Sequence, residues 1–304
     1  MTAVSRALLL CVPLILFAGA GALYTPFGAQ SGDEADIALS SLPQLPSWAA
    51  APLPDFSTIR DTTERKAAFF SFLYPRIALA NSRILIERQY LESLRGNAEF
   101  SDTELKWLAN HAVRLRIDEA NGSEAQLALL EKRIGVIPPS LILAQAANES
   151  AWGTSRFATQ GNNLFGQWCF SKGCGLVPLS RVPGASHEVA KFVSPYGSIR
   201  AYITNLNRHP TYQRVRDVRQ KARQNGHPLS GIAMAAGLLG YSERGEDYVK
   251  EIRAMIRYNN LGFYDKQFQA LLADQSSDRL LELATAPKAE ALLPGSGDAA
   301  SPEH

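Results

Sequence analysis

The sequence predicts a mainly α-helical fold with a minor β element (α+β). Apolar residues recur at helical spacing through most of the chain. A capping-box pattern opens one of the helical stretches, and only one short stretch reads as a strand. With 304 residues, of which 46% are hydrophobic, the chain has room for one large or two small domains. The formal net charge of +2 says little about partners, but the distribution of charge says more.

Residues 1–23 read as a targeting segment. Arg6 precedes the apolar run ALLLCVPLILFAGAGAL, and Ala18, Ala20 and Ala22 supply the small residues of a cleavage site. The run sits at the short edge for a membrane span, so a cleaved signal and a retained membrane tether are both open. Cys11 falls inside it. Residues 24–60 are rich in Pro, Ser and Ala and read as a linker with too little apolar content for a core.

Residues 61–126 form a helical extension. Ala67, Phe70, Leu73, Ile77 and Ile84 share a helical period, with a kink or break expected at Pro75. Ser101 and Glu104 fit a capping box ahead of Leu105, Trp107, Leu108 and Val113. A further helix is predicted over Ser123–Ile134. Because no linker separates these helices from Pro138, a lid on the following domain is a simpler reading than a separate docking module.

The main domain, 127–272, is organised around PPSLILAQAANESAWGTSRFATQGNNLFGQWCF, from Pro138 to Phe170. Two prolines open a short helix, where the first backbone N–H groups have no intrahelical partner in any case. Leu141, Ile142, Leu143, Ala144, Ala146 and Ala147 make it apolar almost all round, which is the pattern of a core helix. Gly153 marks its stop. Glu149 falls in its last turn with Trp152 close behind. A carboxyl group beside an indole at the end of a buried helix is in the setting where loss of water favours the protonated form, as a general acid requires. The alternative is a solvated glutamate at a helix end, the commoner fate of a lone Glu.

Further along, Ser186–Ser194 is the strand candidate, with Val189, Phe192 and Val193. Helices are predicted over Tyr196–Asn207, Thr211–Asn225, Leu229–Leu239 and Glu243–Tyr258. Residues 273–304 read as a low-complexity, disordered tail.

The run AQAANESAWGTSRFA followed by GNNLFG resembles the signature of the bacterial N-acetylglucosaminidases of glycoside hydrolase family 73. The longer GNNLFGQWCFSKGCG and the later YNNLGFYD are most similar to the Bax-like branch of that family. The resemblance covers Leu127 to Asp265. It implies a lysozyme-like fold with a small β-lobe beside the catalytic helix, and Glu149 as the catalytic acid. It also implies a peptidoglycan hydrolase, in the periplasm or cell envelope, cleaving β-1,4 bonds at N-acetylglucosamine without a cofactor. Two alternatives stay open: a muramidase or lytic transglycosylase on the same fold, and a murein-binding scaffold without turnover.

Cys169 and Cys174 are close in sequence, and in an exported chain such a pair reads as a disulfide. Zinc, with His187 as a third ligand, is the rival, but no fourth ligand is evident and the expectation is no metal. Between Ser150 and Ser242 stand eleven Lys and Arg against Glu188 and Asp217 alone. Export argues against nucleic acid as the partner of this basic stretch and favours peptidoglycan, whose peptide stems carry carboxylates. Glycosidases commonly use two carboxyl groups. Asp217 lies within VRDVRQKAR, where a surface ion pair is expected, so Glu188 is by elimination the candidate second acid, with a solvated edge-strand Glu as the alternative.

In GLLGYSERGEDYVKEI the family pattern places the first tyrosine in the active site, which transfers Tyr241 as a catalytic helper. The longer SERGED turn leaves Tyr248 open as the alternative, here a substrate-binding candidate. Trp152, Phe165 and Trp168 are candidates to stack on sugar faces, with Trp152 alternatively a wall beside Glu149. Asn162, Asn163 and Gln167 are candidates to bond acetamido and hydroxyl groups.

Overall fold

The computed structural model describes residues 42–295 except 180, 182 and 183. The expected targeting segment 1–23, the first part of the expected linker and the last nine residues of the expected tail lie outside them. The fold is mainly α, lysozyme-like, with one small three-stranded sheet.

The longest element is α1 (Thr62–Leu94), opened by Asp61, whose carboxylate accepts the Glu64 N–H at 2.8 Å. It runs through Pro75 as one helix, so the expected break does not divide it. Phe69, Phe70, Leu73, Ile77 and Leu79 are buried on both sides of the proline, and tertiary packing outweighs the missing backbone bond. The capping box at Ser101 and Glu104 opens α2 (Asp102–Leu115), and Ser123 caps α3 (Glu124–Arg133).

Next comes α4 (Pro139–Ser150), whose side chains from Pro139 to Ala147 are all buried. Its Pro138 cap position offers no side-chain acceptor. Asp265 supplies one from far along the chain, accepting from the Ser140 N–H at 2.8 Å and the Ser140 hydroxyl at 2.6 Å. Carboxylate charge at a helix N-terminus complements its dipole. Asp265 also accepts the Gly231 N–H at 3.2 Å, tying two helix starts to one side chain. The helix ends at Ser150. Ala151, Trp152 and Gly153 then follow with φ of 49°, 60° and 79°. A Cβ on Gly153 would lie 2.8 Å from the Phe56 ring, so space and backbone both require glycine there.

After α5 (Arg156–Gly161) the chain makes the β-lobe: β1 (Trp168–Cys169), β2 (Gly175–Leu176) and β3 (Glu188–Ala190), all antiparallel in the order β1-β3-β2. Trp168 pairs with Val189, Cys169 with Glu188, and Leu176 with Val189. The strand expected over Ser186–Ser194 is thus only three residues long. Beyond it stand α6 (Pro195–Arg208), α7 (Gln213–Gln224), the single turn α8 (Gly231–Met234), α9 (Glu246–Tyr258) and α10 (Gly262–Leu271).

Helix α4 sits between α1, α8, α9 and α10, and α1 also packs on α6. The helices before α4 are therefore not a lid over a finished core, because α1 builds part of that core. Two further expectations are corrected. Residues 42–60 form a strap, with Ala49 and Phe56 buried, rather than an unpacked linker. Residues 277–292 form α11 (Ser277–Ala284) and a 3-10 turn, both packed on α1, rather than a disordered tail. Buried arginines of α1 hold both: Arg76 donates to Trp48 O at 2.8 Å, and Arg83 donates to Pro43 O at 2.9 Å and Ala284 O at 3.3 Å. Strap and tail also meet directly, through the Trp48 indole N–H on Ala286 O at 2.7 Å. Among the described residues no helix is long and apolar enough to cross a membrane.

Candidate active site

Helix α4 delivers Glu149 to its C-terminal edge, half-buried between the apolar body of the helix and the left-handed turn that follows. Oε1 accepts the Tyr248 hydroxyl at 2.7 Å and the Asn148 side-chain amide at 3.3 Å. Tyr248 is buried in α9, and its oxygen accepts Gln145 Nε2 at 2.8 Å. Gln145 lies one helical turn before Glu149 on the same face of α4, and its Oε1 accepts the Tyr202 hydroxyl from α6. The result is a buried run of three side-chain hydrogen bonds, Tyr202 to Gln145 to Tyr248 to Glu149. Burial, the Glu149 charge and the carboxyl's hydrogen bond push the Tyr248 phenol far above its ordinary range, and burial does the same to Tyr202. Both remain protonated donors at any physiological pH.

Tyr241 stands one layer out. Its ring stacks on Tyr248 with centroids 5.4 Å apart, and its hydroxyl donates to Phe165 O at 2.9 Å. Tyr248 touches the carboxyl group, while Tyr241 ties the wall of the site to the NNLFG loop. Burial raises the Tyr241 phenol as well.

The Trp152 indole turns to α1, edge-on to Phe69 and Phe70 at 5.9 and 5.5 Å, with Lys66 Nζ 4.8 Å from its ring centre. The aromatic group bonded to Glu149 is accordingly Tyr248, and Trp152 anchors the turn. Phe165 is buried and stacked on Tyr202 at 4.1 Å, which removes it from the expected sugar-stacking set. Asn163 is spent on the scaffold: Nδ2 donates to Gln167 O and Ala190 O, and Oδ1 accepts from Phe165 N and Gln167 N. Asn162 likewise donates to Phe192 O at 3.0 Å. Local backbone satisfaction explains this use, because a tight loop between helix and sheet leaves N–H and C=O groups that a side-chain amide can pair. Gln167 differs. It is buried, yet neither polar atom of its side-chain amide has a hydrogen-bond partner among the described residues. Trp168 is 42% exposed and stacks on His187 at 4.3 Å.

Cys169 and Cys174 form a disulfide, with Cα atoms 6.2 Å apart. Their sulfurs and the Glu188 carboxylate lie within 4.8 Å of one another. Because the two sulfurs are bonded to each other, the thiolates that zinc would need are consumed. Glu188 is buried, and its oxygens accept the Gly173 N–H at 3.0 Å and the Gly175 N–H at 2.8 Å. Those two amides, with Arg181 and Lys172, hold the carboxyl below its ordinary range and ionised.

The basic stretch reads differently in three dimensions. Arg219 is fully buried and donates to Gly135 O, Lys132 O and Asn207 Oδ1. Arg216 donates to Leu206 O and His209 O at the end of α6. These guanidinium groups close helix C-termini, where carbonyls lack partners. Arg156, Lys172, Arg181 and Lys191 stay wholly or partly exposed around the β-lobe. Gln145 and Tyr202 were not legible as site residues. The one available signal was a polar side chain four residues before Glu149, within the otherwise apolar run Leu141–Ala147.

Residues 125–261 match a glucosaminidase family model, described as mannosyl-glycoprotein endo-beta-N-acetylglucosaminidase. The chain is 34% identical over 211 residues to Protein bax of Escherichia coli strain K12, covering 69% of this chain and 75% of that protein. No solved structure matches it. The match spans α4 with Glu149, the β-lobe with Glu188, α9 with Tyr248, and the turn before α9 with Tyr241. The chain belongs to the glucosaminidase family of glycoside hydrolases, family 73, in its Bax-like branch.

Proposed function

We propose that the protein is a peptidoglycan hydrolase of the cell envelope, an endo-β-N-acetylglucosaminidase that cleaves β-1,4 bonds of murein glycan with Glu149 as general acid. The observation that carries this reading is the one-sided hydrogen bonding of Glu149. Among the described residues both donors fall on Oε1, which leaves Oε2 as the oxygen through which this reading passes a proton to the glycosidic oxygen. As the bond to the anomeric carbon breaks, that proton passes to the leaving oxygen, and the carboxylate left behind keeps the Tyr248 hydrogen bond. A bond to an ionised acceptor is stronger than one to a neutral acceptor, so it stabilises the product side of the proton transfer.

Glu188 is proposed as the second carboxyl group. Its ionised state suits a base that activates water, and each oxygen retains a lone pair beyond the one used by the loop amide. The exposed Trp168 offers a flat apolar face to a sugar ring. The exposed cations of the β-lobe favour the carboxylates of peptide stems.

The test is Glu149→Gln, which is nearly isosteric and keeps the Oε1 acceptor but removes the proton. Turnover on purified sacculi is expected to fall by about 10³–10⁴-fold, the upper part of the range for general acid catalysis, with binding of sacculi retained. Mass analysis of wild-type products should show a new reducing N-acetylglucosamine. A folded Glu149→Gln protein keeping a tenth of wild-type turnover ends the assignment, and reducing muramic acid or 1,6-anhydro ends would reassign the reaction.

A further inference from the structure

Gln145 is fully buried in the middle of a helix, where every other position from Leu141 to Ala147 is Leu, Ile or Ala. A buried amide is costly unless every polar atom is paired, so its presence needs a reason. The reason lies in the direction of the hydrogen bonds around it.

Each group in the run has a limited set of protons. A phenol has one, and a side-chain amide has a carbonyl end that only accepts and an NH₂ end that only donates. With the Gln145 carbonyl toward Tyr202, the Tyr202 proton is used, the amide donates to Tyr248, and the only outlet for the Tyr248 proton is Glu149. With the amide turned over, its NH₂ would face Tyr202 and its carbonyl would take the Tyr248 proton. Glu149 would then lose its phenolic donor. The Tyr202 proton would also lose its acceptor at a site 1% exposed, out of reach of solvent. The first arrangement gives both phenol protons an acceptor and directs one of them to Glu149, and the second does not. Tyr202 is itself held in place by its stack on Phe165, so the direction is set from the α6 side and transmitted inward.

We infer that Gln145 and Tyr202 are positioning residues, which lock Tyr248 as a donor to Oε1 of Glu149 and thereby reserve Oε2 for the transferred proton. The inference rests on Glu149 being the general acid. It adds two residues that never touch substrate and yet set which oxygen of the acid does the work.

Tyr202→Phe removes one hydroxyl and keeps the Phe165 stack, which frees Gln145 to turn over. Gln145→Met removes both ends of the amide at similar volume. With soluble murein fragments, each variant is expected to lower kcat by roughly tenfold, the scale of one hydrogen bond to a charged group, with KM unchanged. Tyr248→Phe should lose at least as much. The deciding measurement is the double variant Tyr202→Phe/Tyr248→Phe, which should be no slower than Tyr248→Phe alone, because the first residue acts only through the second. Multiplicative losses, an unchanged kcat, or a change confined to KM would each overturn the inference. Circular dichroism on every variant separates loss of folding from loss of rate. If Glu149→Gln keeps its turnover, the acid assignment itself fails. If Glu149→Gln is inactive and Tyr202→Phe and Gln145→Met run at wild-type rate, only the positioning role is lost.

Discussion

Cys169 lies directly opposite Glu188 in the β1–β3 ladder, and the loop closed by the Cys169–Cys174 disulfide turns back to give that glutamate two backbone N–H groups, from Gly173 and Gly175. The disulfide and the carboxylate form one unit. A Cβ on Gly175 would meet Val189 O at 2.0 Å, so the loop can approach β3 only with glycine there. A loop this short constrains the unfolded chain less than a long bridge would. The main effect of the bond is therefore local, keeping two amides aimed at one carboxylate.

This coupling predicts a non-additive cycle. Glu188→Gln lowers turnover, and Cys169→Ser/Cys174→Ser lowers it too, because the loosened loop no longer holds Glu188 ionised and in place. The triple variant should be no slower than Glu188→Gln alone. The amides hold the Glu188 carboxyl below its ordinary range, so the cysteine variant should also lose activity at a higher pH than wild type as the solution is acidified. Turnover against pH for the four proteins, with thiol counting on the wild type, checks both outcomes. Additive losses would show that the bridge works elsewhere.

Gln167 sets stability against function. Both polar atoms of its buried amide lack protein partners, and leaving a buried polar group unpaired costs about 1–3 kcal/mol. Gln167→Met should therefore raise stability by roughly 1 kcal/mol in denaturant titration. If the amide is kept because it bonds an N-acetyl group, the same variant loses affinity for murein fragments. A gain in stability with unchanged affinity would remove Gln167 from the binding set.

The helices and the Glu149 motif were legible because periodicity and caps are written in side chains. Ser101 and Glu104 open α2 as their spacing requires, and the apolar face of α4 marks it as core. The strap and the tail were not legible, because what holds them is largely backbone. Arg76 and Arg83 bond the carbonyls of Trp48, Pro43 and Ala284, and a carbonyl looks the same in any residue. In the site, Glu149 stood out by chemistry, while Tyr202 and Gln145 reach it only through another side chain. Asn162 and Asn163 show the limit of residue type as a signal, since amides that suit sugars also suit the loose backbone ends of a tight loop.

If residues 277–292 are part of the fold, substitutions there carry a core-like penalty. Leu283 is 2% exposed against α1, whereas Leu281 two residues earlier is 47% exposed. Leu283→Ala should cost about 2–5 kcal/mol, the range for emptying a buried leucine site. Leu281→Ala should stay within roughly 0.5 kcal/mol, as for most surface changes. Urea denaturation of the two variants decides the matter, and equal small effects would return this segment to the status of a tail.

The last prediction concerns acid. Glu87 of α1 is buried and paired with the Arg114 guanidinium of α2, with Arg200 Nη2 at 3.6 Å and His111 Nε2 at 3.7 Å. Burial alone would raise its carboxyl, but the charges of Arg114 and Arg200, with His111, pull it down to about 2 from the ordinary 4.5. His111 is pushed the other way from a charged state: burial and the Arg114 charge lower it from 6.5 to about 3, against the attraction of Glu87 and its bond to Trp107 O. The histidine is thus neutral in the fold, so on acidification the unfolded chain takes up a proton that the folded one refuses. Stability from this group is present above pH 6.5 and is lost as pH falls from there toward 3. The carboxylate contribution is present above pH 4.5 and is lost as pH falls toward 2. Both losses run in the same direction and begin in different windows. The midpoint of thermal unfolding should decline from about pH 6.5 downward, and steepen below about 4.5. His111→Gln cannot take up the proton, so it should flatten the upper window while leaving the lower one in place. A His111→Gln protein whose melting temperature falls between pH 6.5 and 4.5 as steeply as wild type would show that some other group governs that window.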